Sequence, residues 1–176
     1  MTSTGDAAGD SFTNIERIFG TGHDDIILGG GDDDILLGNG GDDFLTGGLG
    51  DDTLIGGAGV DSFAYNADQD AADVISGFTT NEIIDILSNN PAFDSFAELL
   101  AVATDAGANT IFNFGGGNTL TIVGQNIADL DASNFTFSSP PSAILASPTG
   151  PTAAFPGTLD SFAAEMVDVL DMDALI

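Results

Sequence analysis

The sequence predicts a mainly β protein: a parallel β-roll (β-solenoid) of nonapeptide repeats, then a mixed α/β C-terminal cap and a short helical tail. Three observations carry this prediction. Residues 20–64 divide into five unbroken nonapeptides, GTGHDDIIL, GGGDDDILL, GNGGDDFLT, GGLGDDTLI and GGAGVDSFA. Each opens with Gly, has Asp at its sixth place and carries a large apolar residue at its eighth. Residues 95–123 hold a helical pattern followed by two short apolar runs around a GGG turn. Residues 138–176 hold a proline-rich stretch and then an acidic amphipathic one. Self-similarity at a short fixed period is the mark of a solenoid, which buries its core by stacking one unit on the next.

Residues 1–19 form the entry segment, with Phe12, Ile15 and Ile18 as its apolar positions and Arg17 as an ordinary surface charge. In the repeats, glycine turns the chain tightly because it tolerates positive φ. The three residues around the eighth place make a very short strand. Its central side chain points one way and its neighbours the other. Ile27, Leu36, Leu45, Leu54 and Phe63 therefore point inward. Two nonapeptides complete one turn, so copies n and n+2 stack about 4.8 Å apart. This places Asp25, Asp43 and Asp61 in one column and Asp34 and Asp52 in another. A disordered Gly/Asp linker has no reason to hold an apolar residue at every ninth place.

Stacked carboxylates about 5 Å apart repel by roughly 3 kcal/mol at an effective dielectric near 20. Asp24, Asp33, Asp42 and Asp51, at the fifth place, add to the charge. A hard divalent cation between the turns reverses the sign. Calcium takes about six to eight oxygens in a tolerant geometry, whereas magnesium demands a stricter octahedron and keeps its waters. The candidate metal ligands are thus the carboxylates of Asp25, Asp34, Asp43, Asp52 and Asp61. The turns of Gly29, Gly31, Gly38, Gly40, Gly47, Gly48, Gly50, Gly56, Gly57 and Gly59 supply carbonyls. The same-edge pairs 25/43, 34/52 and 43/61 predict three or more Ca2+ ions, with the chain disordered without calcium and folded with it. Thr21, His23, Asp32 and Asn39 replace glycines, so the last two copies keep the pattern best. With no Cys and no second His in the chain, His23 supports neither a separate metal site nor catalysis.

The 176 residues allow one domain, with or without a tail. Twenty-eight acidic residues against one basic give a formal charge of −27. That excludes nucleic acid as a partner and disfavours anionic membrane surfaces. The absence of Cys removes disulfides and thiol chemistry. No apolar run is long enough to insert stably in a membrane, and MTSTGDAAGDSF lacks the regions of a Sec signal peptide. Neither G-x-S-x-G nor H-E-x-x-H occurs, so the chain is not expected to be an enzyme.

The repeats resemble the RTX (repeat-in-toxin) calcium-binding β-roll family, C-terminal modules of type I secreted proteins. GDSFTNIERIFGT is similar to the degenerate segment that precedes such repeats. Met1 is then either the natural start or a fragment boundary. YNADQDAADVISGFTTNEIIDILS (65–88) resembles the segment that closes many RTX rolls, with Asp73 on its first acid and Asp85 on its last. The resemblance implies Asp73 as a further calcium ligand. Ser76 and Asn81 depart from the family's usual Asp or Gly, and Asp68, Asp70 and Asp85 read equally as solvated loop acids. Phe63, Tyr65, Val74, Ile75 and Phe78 are expected to plug the open end of the core.

Residues 95–106 read as a helix, with Ser95 and Glu98 as a capping box and Gly107 as the stop. NTIFNF (109–114) and NTLTIV (118–123) read as a β-hairpin. LTIVGQNIADLDASNFTF resembles a common RTX terminal segment, with Asn134 replacing an acid. Residues 65–137 are accordingly the cap that solenoids need at their ends. Residues 138–157 form a Pro-rich linker, and 158–176 an amphipathic helix striped by Phe162, Met166, Val169 and Leu170. Asp173, Ala174, Leu175 and Ile176, an acid before three apolar residues, look like the C-terminal signal of type I secreted proteases. The other reading of this helix is one that docks back on the domain.

The resemblance implies a calcium-binding module that folds outside the cell. Its partners are calcium and the ABC exporter of a Gram-negative type I route, and its location is extracellular. One alternative is a complete small secreted structural, matrix or surface protein, suggested by outward-facing Leu28, Ile35, Leu37, Phe44 and Ile55. Another is the C-terminal part of a secreted protease or lipase.

Overall fold

The computed structural model describes residues 17–69 and 71–138. They form a mainly β, parallel solenoid with little helix. Eight strands come first: β1 (Arg17–Phe19), β2 (Ile26–Gly30), β3 (Ile35–Gly40), β4 (Phe44–Gly48), β5 (Thr53–Ala58), β6 (Ser62–Asn66), β7 (Ala72–Ser76) and β8 (Ile83–Leu87). Helix α1 (Phe96–Ala101), β9 (Ala103–Ala106), β10 (Asn109–Gly115), β11 (Asn118–Val123) and β12 (Phe135–Ser138) follow. Odd and even strands of the roll fall into different sheets, because each nonapeptide carries the chain to the opposite side. One sheet runs β1-β3-β5-β7-β11-β10-β9, the other β12-β8-β6-β4-β2.

Each sheet contributes one inward ladder. Ile18, Leu36, Leu54, Ile75 and Ile122 are in register on one side, and Ile27, Leu45, Phe63, Ile84 and Phe135 on the other. All ten are buried. The core between the sheets is therefore built from the eighth-place residues, as their period requires, and continues beyond them.

That continuation corrects the expectation that the repeat pattern stops at Ala64. Tyr65, Asn66 and Ala67 are a buried three-residue insertion. After it, Asp73 and Ile75, then Glu82 and Ile84, stand again at sixth and eighth places. β7 pairs parallel with β5 and β8 with β6, so both belong to the roll's own sheets. A strict count in nines from Gly20 misses them because the insertion shifts the register.

Two further expectations change. The helix ends at Ala101, not at Gly107, because Ala103–Ala106 pair antiparallel with β10. Ser95 caps α1, its Oγ accepting the Glu98 N–H at 3.4 Å, and Gly107 instead makes the β9–β10 turn at φ +74°. Val74 does not plug the core: it is half-buried, in line with Thr53 and Thr121 on the outer face. Phe63, Tyr65, Ile75 and Phe78 are buried as expected.

The hairpin of β10 and β11 forms as the sequence suggests, and β11 joins the roll parallel to β7. Phe112 packs edge-on to Phe135 with ring centroids 5.7 Å apart. No helix among the described residues is long and apolar enough to cross a membrane. The proposed linker beyond Ser138, the tail helix and the signal at Asp173–Ile176 lie outside the described residues, as do Phe12 and Ile15.

Candidate metal centre

The turns between strands carry two hydrogen-bond ladders that run in opposite directions. Each sixth-place carboxylate reaches back one level. Asp43 Oδ1 accepts the Asp25 N–H at 2.8 Å, Asp52 Oδ1 the Asp34 N–H at 2.7 Å, and Asp61 Oδ1 the Asp43 N–H at 3.0 Å. Asp73 Oδ1 accepts the Asp52 N–H at 3.0 Å, so Asp73 extends the Asp34–Asp52 column across the insertion. Each fifth-place carboxylate reaches forward. Asp24 Oδ1 accepts from Asp42 N–H, Asp33 from Asp51, Asp42 from Val60 and Asp51 from Ala72, at 2.8–2.9 Å. The fifth-place acids, read from sequence only as added charge, therefore tie consecutive turns together while remaining exposed.

The inner ladder leaves oxygens over. Asp43, Asp52 and Asp61 are each at most 1% exposed. Their Oδ2 atoms are buried and have no hydrogen-bond partner among the described residues. Buried polar atoms are almost always paired, so an orphan points to a ligand or ion. Burial first, and then the stacked neighbours, push the Asp43 carboxyl up from 3.8 to about 6 and the Asp52 carboxyl to about 7. The Asp61 carboxyl is raised for the same leading reason. The neighbours responsible are Asp61, Asp25 and Asp24 for Asp43, and Asp73, Asp34 and Asp33 for Asp52.

The glycine at the head of each repeat faces these oxygens. A Cβ on Gly38 would collide with Asp43 Oδ2 and with the carbonyl oxygen of Gly56 one level on. On Gly29 it would meet Asp34 Oδ2 and the Gly47 oxygen, and on Gly47 or Gly56 the repeat's own Asp. A carboxylate oxygen and a carbonyl oxygen from two stacked turns thus converge on the head glycine and leave no room for a side chain. Among the described residues no three acidic or histidine side chains converge on one point. A cation here would draw on few carboxylates and on main-chain carbonyls for the rest, a donor set that suits a hard ion with flexible geometry. The residues present fit calcium.

The other predicted ligands divide. Gly48, Gly50, Gly57 and Gly59 adopt positive φ, which shapes the turns. Asn39 takes φ +76° where its stack-mate Gly57 takes +118°, and its Nδ2 donates to the Gly20 oxygen at 2.9 Å. Gly31 and Gly40 have room for a side chain. Asp25 is only half-buried, and its Oδ2 accepts from the Thr21 N–H and hydroxyl. Thr21 stands where later copies have Gly or Asn, so the first turn satisfies its carboxylate internally. Asp85 accepts from the Thr136 and Ser138 hydroxyls, and Asp68 from Ser88 and Asn89. Both tie loops and strands together.

Sequence reasoning missed Glu82. It is 2% exposed, sits at the sixth place beside Asp61, and accepts the Thr79 N–H at 2.9 Å. Its signal was its position nine residues after Asp73 and two before Ile84.

Fold and turns together define a parallel β-solenoid with a column of stacked aspartates along each edge. The family model of the RTX calcium-binding nonapeptide repeat (4 copies) matches residues 12–45 and 37–72. These residues belong to the RTX β-roll family, whose repeats bind calcium. Among solved structures the chain is similar to the extracellular lipase LipA from Serratia marcescens, at 20% identity and a TM-score of 0.47. That match covers 69% of this chain and 20% of the lipase chain, so this chain spans a small part of the lipase. It is also similar to the AlgE6R2 subunit of the Azotobacter vinelandii mannuronan C5-epimerase, at 26% identity and a TM-score of 0.48, covering 73% of this chain and 96% of that one. No curated protein matches.

Proposed function

We propose that the chain is a calcium-switched folding module of a protein exported by a type I route, with no catalytic step of its own. The observation that carries this is the row of buried carboxylate oxygens on Asp43, Asp52 and Asp61 without hydrogen-bond partners among the described residues. Without a cation they oppose folding; with one they become its ligands. Each ion adds RT ln(1 + [Ca2+]/Kd), about 2.7 kcal/mol at 100 times Kd. Three sites supply roughly 8 kcal/mol, comparable to the whole stability of a small domain, about 5–15 kcal/mol. Inside a cell, where calcium is scarce, the roll stays open and can be threaded through a channel. Outside, it folds and cannot slip back. Helix α1 and strands β9 to β12 close the far end of the roll and nucleate its strands, and the final four residues are the export signal.

Circular dichroism during a calcium titration, with magnesium as control, tests the switch. The β signal is expected to appear with calcium and not with equal magnesium. A roll fully folded in excess chelator would sink the switch.

A second reading, a small structural or surface protein, draws on the outward row of Phe19, Leu37 and Ile55. Phe19 is 55% exposed. Sedimentation in calcium separates the two: a monomer at all concentrations removes the motive for self-association through this row.

A further inference from the structure

We infer that the cation column beside β2, β4, β6 and β8 runs one level past the matched repeats, and that Asp61 and Glu82 hold a further calcium ion between the turns 56–61 and 77–82. The inference rests on the calcium reading above and adds a site outside the residues that the family model matches, which end at 72.

Register is the first support. Ile83 pairs with Ser62 and Ile84 with Phe63, which sets Glu82 level with Asp61. The Ile83 N–H donates to the Asp61 oxygen at 3.2 Å, the same bond that Ser62 makes to the Asp43 oxygen at 2.8 Å one level before. In main-chain register Glu82 therefore stands to Asp61 as Asp61 stands to Asp43, while its carboxylate accepts the Thr79 N–H where Asp61 Oδ1 accepts the Asp43 N–H.

The second support is the orphan oxygen. Asp61 is fully buried; its Oδ1 is used by the Asp43 N–H, and its Oδ2 has no hydrogen-bond partner among the described residues. That Oδ2 lies against Gly56, at the head of its own repeat. At Gly38, one level before, Asp43 Oδ2 is joined by the main-chain oxygen of Gly56 from the next turn. For Gly56 the turn one level on is 77–82, which carries Glu82.

The third is charge. Two acids buried at adjacent levels stay ionised only beside a counter-charge. The described basic groups, Arg17 on β1 and His23 in the turn before β2, lie at the opposite end of the stack. A divalent cation balances both carboxylates at once. The turn that would hold it is braced: the Thr79 N–H donates to Glu82, and the Asn134 side-chain amide donates to the Thr80 and Glu82 oxygens at 2.9 and 3.2 Å.

Native mass spectrometry of the calcium-saturated chain near neutral pH counts the ions. Glu82→Gln keeps the shape and the acceptor for Thr79. It is expected to bind one ion fewer than the wild type while retaining the rest. An unchanged count would overturn the inference and leave Glu82 as a protonated stop at the end of the column. A wild type that binds no calcium at all would instead defeat the family-based reading of the repeats. Should Glu82→Gln fail to fold, carbon NMR of the Glu82 carboxyl in the calcium-saturated wild type decides. An ionised carboxylate at pH 6 supports the site, and a protonated one overturns it.

Discussion

Replacing Asp52 by Asn is expected to stabilise the metal-free roll and destabilise the calcium-loaded one. In the metal-free protein the Asp52 carboxyl is raised from 3.8 to about 7, chiefly by burial. At about 1.4 kcal/mol per pH unit, holding it ionised at pH 8 costs about 4 kcal/mol. Asn removes the charge and keeps an Oδ1 acceptor for the Asp34 N–H, now at 2.7 Å. It also turns the orphan oxygen into a buried amide N–H2 without a partner, which costs about 1–3 kcal/mol. The net gain without metal is about 1–3 kcal/mol. With calcium 1,000-fold above Kd, losing one ion costs about 4.1 kcal/mol, more than that gain, so the sign reverses. The assay is the unfolding midpoint in chelator and in calcium at pH 8. Urea is the titrant where the protein is folded, and a stabilising osmolyte where the metal-free form is not. A variant destabilised equally in both conditions would refute the reasoning, since it would make Asp52 an ordinary structural acid.

Gly38→Ala drives a methyl group against Asp43 Oδ2 and the Gly56 oxygen; we expect weaker calcium binding by calorimetry, with at least one ion lost, whereas Gly31→Ala, in open space, should leave affinity within about twofold. The metal-free roll should gain stability on acidification. Asp43 and Asp52 have folded pKa values of about 6 and about 7 against 3.8, so the folded state binds more protons between these values and stability falls as pH rises through that window. Calcium-saturated protein should show the opposite slope, because protons compete with the ion; parallel pH profiles in chelator and calcium would contradict this. Removing Asp173–Ile176 should reduce export through a type I exporter several-fold and leave the calcium midpoint unchanged, and unaltered export would place the signal elsewhere.

Much of the roll was readable because its period is rigid. An apolar side chain at each eighth place can only be buried if successive nonapeptides stack, and glycine at the turns lets them. The positions of Ile27, Leu36, Leu45, Leu54 and Phe63 followed from this alone. The buried insertion Tyr65–Ala67 broke the count and hid Glu82. The segment 103–106 looked helical because its composition continues that of α1. Pairing with β10 decided otherwise, as tertiary context overrides weak local propensity.

By itself the sequence determined the solenoid, its two aspartate columns and the chemistry of the ion they suit, since these depend only on spacing and residue type. Tertiary structure decided which carboxylate oxygens are left for that ion. Asp25 and Asp43 hold the same place in their repeats, yet Thr21 satisfies one Oδ2 and nothing among the described residues satisfies the other. The distinction rests on which donors lie within hydrogen-bond reach after stacking and how deeply each level is buried. Neither is a property of the nonapeptide taken alone.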